Sequence, residues 1–197
     1  MNERTFQAQE AHRLEDPKRL EWLPPAEVVA HLALRPQMMV ADIGAGTGYF
    51  TLPIARAVSP GTVFAVDLQP EMLQLLEAKL ADAPGNIILR SGDAAETGLD
   101  SRSVDRVLLA NLWHELDDHA AVLKEAERLL RPGGQIAILD WRSDVAGPPG
   151  PPPEHRIAQA EAEETLREQG WTVEGGMSIG RYSYLLLASF FAAPAVN

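Results

Sequence analysis

A three-layer α/β fold, a mostly parallel sheet between two layers of helices, is the class that this sequence predicts. Three observations carry it. Apolar runs that read as strands alternate with segments of helical period from Met38 onward. The first such run ends in Asp42-Ile43, enters a turn with Gly44, Gly46 and Gly48 at every second position, and passes into a helical pattern. The last two runs, Trp171 to Met177 and Tyr182 to Phe190, are joined by only four residues, Ser178 to Arg181. That link is too short for a parallel crossover, so the pair is antiparallel.

The elements follow in order. Residues 1–22 are polar and of mixed charge, and 1–25 read as an N-terminal lid segment ahead of one domain over 26–197. Ala26 to Leu34 has one apolar face in Val28, Val29 and Leu32. Met38 to Ile43 is strand one, and the helix after the glycine turn runs to about Val58 before Ser59-Pro60-Gly61. Thr62 to Asp67 is a buried parallel strand ending in an acid. Pro70 opens a helix with Met72, Leu73, Leu76 and Leu80 inward. Ile87 to Ser91 and Val104 to Ala110 are strands three and four. Asp117 or Asp118 caps the helix carrying Val122, Leu123, Ala126, Leu129 and Leu130. Arg131-Pro132-Gly133-Gly134 ends that helix, and Gln135 to Trp141 is strand five. A stiff proline loop, Gly147 to Pro153, precedes a helix expected over Glu154 to Gln169.

Composition narrows the function. The 197 residues are 46% apolar and 23% charged, with net charge −11 and three lysines. Nucleic-acid binding draws its affinity from cationic contacts to phosphates, and no basic run is present to make them. No apolar run reaches the roughly 18–20 residues of a membrane span. The first residues carry no apolar signal core, and with no cysteine the expected location is cytoplasmic. The same absence removes disulfides, thiolate nucleophiles and cysteine metal sites. His12, His31, His114, His119 and His155 form no pair at metal-ligand helical spacing, so no metal is expected.

The glycine turn separates two nucleotide chemistries. A dinucleotide fingerprint has glycine at its first, third and sixth positions. Here the sixth is Tyr49, and Gly48 gives G-x-G-x-G instead. Asp42, two residues before the first glycine, suits a ligand with a cationic amino group better than a pyrophosphate. None of Tyr49, Tyr182 and Tyr184 has a lysine four residues on, which counts against an NAD(P)-dependent oxidoreductase. Asp67, 19 residues after Gly48, suits a ribose in either case.

Asp42 to Phe50 resembles motif I of the class I S-adenosylmethionine-dependent methyltransferases, and the resemblance extends over about residues 26–191. It implies a Rossmann-like sheet of seven strands in the order 3-2-1-4-5-7-6 with strand seven antiparallel. The branch resembled is that of the ubiquinone/menaquinone biosynthesis and arsenite enzymes. It implies S-adenosyl-L-methionine as cofactor, held by Asp42, Gly44, Ala45, Gly46, Gly48, Asp67, Leu68, Gly92, Asp93, Ala94 and Asn111. Asp93, in Gly92-Asp93-Ala94, would bond the adenine amino group, or only cap its own turn. The loop Ala110 to Leu116 would line the sulfonium and the acceptor, and it is not the N-P-P-Y pattern of base methylation. His114 is a candidate general base or a packed loop residue. Asp140 ends strand five at the same edge, and His155 or Arg156 after the proline loop either points inward or lies on the surface. Trp22 and Tyr49 are candidates to shelter the cofactor. Without cysteine, arsenite is excluded as the acceptor. A small-molecule methyl acceptor is expected, with a non-catalytic S-adenosylmethionine-binding module as the alternative, and oligomeric state is not readable.

Overall fold

The computed structural model describes residues 6–147 and 149–190. Residues 1–5 of the expected lid segment, Pro148 of the proline loop and 191–197 of the expected domain lie outside the described residues. The strands are β1 (Val40–Ile43), β2 (Val63–Asp67), β3 (Ile87–Ser91), β4 (Val104–Ala110), β5 (Leu130–Trp141), β6 (Thr172–Ile179) and β7 (Ser183–Ser189). They form one sheet in the order β3-β2-β1-β4-β5-β7-β6. Pairing is parallel from β3 through β5, and β7 runs antiparallel to both β5 and β6. This is the expected topology.

Central position explains the composition of the strands. All four residues of β1 are buried, because helices cover both faces of the sheet there. Alternate side chains feed two cores. Val107, Leu109, Ile136 and Ile138 pack with α5 (His119–Leu129) and α6 (Gln159–Glu168). Leu108, Ala137 and Leu139 pack on the other side with α2 (Pro25–His31) and α3 (Thr51–Val58). Helix α4 (Pro70–Glu77) adds a smaller cluster through Leu76 against Ala45 and Ala65. A four-residue helix, α1 (Arg19–Trp22), and a 3-10 stretch, Ala8–Glu15, lie ahead of these layers. Asp118, rather than Asp117, caps α5 by accepting from the Ala121 amide at 2.9 Å. No helix among the described residues is long and apolar enough to cross a membrane.

Two elements depart furthest from the expected bounds. The helix expected from Glu154 starts at Gln159, after a 3-10 turn at Pro153–His155. Arg156 is the cause. It is buried, its backbone is extended, and its guanidinium donates to the carbonyls of Arg142, Val145, Gly147, Pro149 and Pro151 at 2.8–3.1 Å. Those bonds organise the proline loop and hold the chain out of helical geometry. Strand β5 begins at Leu130, not Gln135, because Leu130 already pairs with Val104. Arg131 to Gly134 form an irregularity in the pairing, with Gly133 at φ +81°. A proline inside a strand is tolerated at such a place.

Candidate functional site

The strand order reverses between β2 and β4, on either side of β1. In open α/β sheets the crevice beyond the carboxyl ends of those strands is where ligands bind. The turn after β1 sits there. Gly44, Gly46 and Gly48 all have positive φ, +76°, +53° and +86°. A Cβ on Gly44 would lie 2.9 Å from Leu112 Cδ2, and one on Gly48 would lie 2.3 Å from Leu76 Cδ1. Glycine here therefore serves both conformation and close packing. Asp42 is 1% exposed, accepts from Thr51 Oγ1 at 2.5 Å, and has its carboxyl pushed up to about 6 by burial, with the Asp67 charge adding to the shift against the Thr51 bond. Asp67 accepts from the Gly46 amide at 2.8 Å and the Gln69 amide at 2.9 Å. Burial still raises its pKa above the ordinary value, against those two bonds.

The ends of β3, β4 and β5 complete the crevice. Asp93 is exposed and accepts from the Ala95 amide at 2.8 Å, so it does cap its own turn while lining the cavity. Asn111 has φ +54°, and its Oδ1 is buried without a hydrogen-bond partner. His114 is 4% exposed. Its Nδ1 stands 2.8 Å from Asp140 Oδ1, and its amide donates to Asp140 Oδ2 at 2.9 Å. The Trp141 amide donates to the same carboxylate at 2.6 Å. With Nδ1 as donor to Asp140, the basic lone pair of the imidazole is on Nε2. Glu115 Oε1 is 3.9 Å from that Nε2. Burial pushes the Glu115 carboxyl up to about 7, with Asp140 and Asp67 adding to it and the Phe6 amide and His114 opposing it.

The N-terminal residues cover this edge. The Phe6 amide donates to Glu115 Oε2 at 3.0 Å, and Gln69 bonds both Phe6 and Ala8. Glu15 accepts from Thr47 Oγ1 at 2.5 Å and from Lys79 Nζ at 2.6 Å, which ties the 3-10 stretch to the glycine turn. Trp22 packs against Trp141 with the rings tilted by 38° and their centroids 5.3 Å apart. Beneath these residues lies a cavity of about 1360 Å³. Asp42, Gly44, Ala45, Gly46, Asp67, Leu68, Gly92, Asp93, Ala94, Asn111 and His114 line it, with Trp22 and Tyr49. Gly48 does not, and its role is to let α4 approach through Leu76. Asp140 stands behind His114 rather than in the lining. His155 is also outside the lining, and Arg156 points into the proline loop, so neither is brought to the crevice. Arg19, Glu15 and Thr47 also line the cavity without having been singled out by sequence, and Glu115 lies in the loop Ala110 to Leu116 that was expected to line it, though with no role of its own there. Glu115 adjoins His114 in sequence, but nothing in its type separates it from a surface glutamate.

The lining suits S-adenosylmethionine. Asp42, Asp67 and Asp93 can accept from an ammonium and from hydroxyl and amino groups, and the orphaned Asn111 Oδ1 needs a donor. A model of the methyltransferase domain family matches residues 41–138. An uncharacterized methyltransferase of Mycobacterium tuberculosis is 36% identical over 170 residues, 79% of this chain and 63% of that protein, so the chain spans less than two thirds of this relative. The demethylmenaquinone methyltransferase of Staphylococcus aureus is 32% identical over 114 residues, 57% of this chain and 47% of that protein. A crystal structure of an S-adenosylmethionine-dependent methyltransferase from Aquifex aeolicus has a TM-score of 0.88 at 28% identity, covering 93% of this chain and 98% of that one. A family match from Ala41 to Ile138 and a shared fold on both sides of it identify the chain as a member of the class I S-adenosylmethionine-dependent methyltransferases.

Proposed function

We propose that this chain transfers a methyl group from S-adenosylmethionine to a small acceptor with an apolar body and a polar handle. The observation that carries this is the extent of one cavity, about 1360 Å³, running from Asp93 to Trp141. A site for one small ligand is typically about 300–1,000 Å³, so there is room for cofactor and acceptor together. Asp42, Asp67, Asp93 and Asn111 hold the cofactor's polar groups. Residues 6–22 act as the lid and exclude water. Trp22, Trp141 and Pro149 to Pro152 offer apolar surface to the acceptor, while His114 and Glu115 face its reacting end. The lining is mixed rather than purely apolar, which sets a polar handle beside the acceptor's body.

When bound, the cofactor supplies an electrophilic methyl group on a positively charged sulfur. The protein's contribution is alignment, and orientation alone can supply ~7–11 kcal/mol. Asp140 fixes the His114 ring through Nδ1, so Nε2 is placed to take the proton of an acceptor hydroxyl or ammonium. The Staphylococcus aureus relative is named for a quinone acceptor, so a quinol is the first class to try, ahead of phenols and amines. The test is formation of S-adenosylhomocysteine with demethylmenaquinol and with simple phenols and amines. Acceptor-dependent formation is expected, and His114→Ala lowers kcat by ~10²–10⁴ without changing S-adenosylmethionine affinity. Full turnover in His114→Ala removes the base and leaves alignment alone. Tight cofactor binding with no turnover on any of these acceptors favours a non-catalytic binding module.

A further inference from the structure

Arg19 opens α1 and is 6% exposed, yet it lines the cavity. An arginine has five N–H donors. One of these, on Nη1, donates to the Leu14 carbonyl at 2.7 Å, and the others have no partner among the described residues. Glu15, whose charge acts on Arg19, is engaged by Lys79 and Thr47 instead. The guanidinium lies 3.9 Å from the centre of the Tyr49 ring, which covers one face, and Trp22 stands 5.9 Å away. Stacking of this kind fixes the plane of the fork and leaves its edge for hydrogen bonds. A buried charge without a carboxylate hydrogen-bonded to it is costly to a fold, and Arg19 lies beside the open space of the cavity.

We infer that Arg19 is a carboxylate-binding subsite of the cavity, taking a planar monoanion through a two-point hydrogen-bonded pair. The planar fork matches a carboxylate in shape. A phosphate dianion fits worse, because Asp42, Asp67, Asp93 and Glu115 line the same cavity. This deepens the methyltransferase reading and rests on it. Two carriers bring the same chemistry. One is the amino-acid end of the cofactor, whose ammonium would face Asp42. The other is an acid group on the acceptor, lying along the Trp22–Trp141 pair.

Calorimetry on the full chain separates them. In the first arm, wild type and R19Q are titrated with S-adenosylmethionine and with its decarboxylated form. In the second, both proteins are saturated with S-adenosylhomocysteine and titrated with 4-hydroxybenzoate and 4-hydroxybenzamide. Wild type is expected to prefer the carboxylate member at least about tenfold in one arm, and R19Q to lose that preference. A preference in the first arm assigns the cofactor's carboxylate, and one in the second assigns the acceptor's. R19K keeps charge and stem but not the fork, and is expected to retain only part of the preference, which covers the case where R19Q does not fold. No preference in wild type, or the same preference in both variants, overturns the subsite while the methyltransferase reading stands. Failure of wild type to bind S-adenosylmethionine at all overturns both.

Discussion

Asp67 works in two directions at once. Its two oxygens each accept one backbone amide, from Gly46 and from Gln69, so the side chain braces the glycine turn against the end of β2. Each oxygen keeps a second lone pair for a ligand hydroxyl. Hydrogen bonds to a charged group are worth about 1.5–3 kcal/mol, so Asp67→Ala is expected to weaken S-adenosylmethionine binding at least about tenfold. Asp67→Asn is the control, since its carbonyl still accepts from one amide but carries no charge. Unchanged affinity in the alanine variant, read by calorimetry, removes Asp67 from the cofactor site. Asn111 is the complementary case. Its backbone is left-handed and its buried Oδ1 has no hydrogen-bond partner, so a ligand donor in the cavity would satisfy an oxygen that the fold leaves unpaired.

Elements far apart in sequence meet at Gly180, in the turn between β6 and β7. Its φ is +53°, and a Cβ there would stand 2.6 Å from the Trp22 carbonyl oxygen. The hairpin thus supports α1, and through it the contact of Trp22 with Trp141. Gly180→Ala forces backbone to move. It is expected to cost roughly 1–3 kcal/mol of stability and to raise the KM for the acceptor by a larger factor than the Kd for S-adenosylhomocysteine. Thermal melting and steady-state kinetics read the two effects separately, and equal loss on both ligands counts against the coupling. The same hairpin illustrates what was legible in the sequence. Its antiparallel sense follows from a four-residue link, and β3 and β4 fall on the expected residues because apolar runs with sharp polar ends leave little choice. The start of α6 was not legible, since Arg156 acts through five carbonyls that no periodicity reports. The cavity-lining residues at the strand ends were legible because they cluster there. The individual parts of Arg19 and Glu115 were not, because Arg19 is buried within a polar segment of little pattern and Glu115 is partly covered by that same segment through the Phe6 amide.

At the scale of the whole molecule, the cavity is a place where stability is given up for binding. A folded domain holds a margin of only about 5–15 kcal/mol. Asp42 titrates at about 6 in the fold against an ordinary 3.8, and Glu115 at about 7 against 4.5. Both carboxyls are therefore raised, so the folded protein holds protons that the unfolded chain has already released. Their contribution to stability is full below about pH 4 and is lost as pH rises through about 6 and 7. At 1.36 kcal/mol per pKa unit, Asp42 alone costs about 3 kcal/mol at pH 8. A cationic ligand beside it reverses the sign, since it favours the ionised form. Asp42→Asn removes the charge while keeping an oxygen for Thr51. The ligand-free variant is expected to melt several degrees above wild type at pH 8, at about 2–4 °C per kcal/mol for a chain of this size, with the gap closing by pH 4. The rise in melting temperature caused by saturating S-adenosylmethionine should be smaller in the variant, because the charge that rewards binding is gone. Melting curves at pH 4, 6 and 8, with and without S-adenosylmethionine, test this directly. A variant less stable than ligand-free wild type at pH 8, or one that keeps the full ligand-induced rise, shows that Asp42 serves the turn and not the cation.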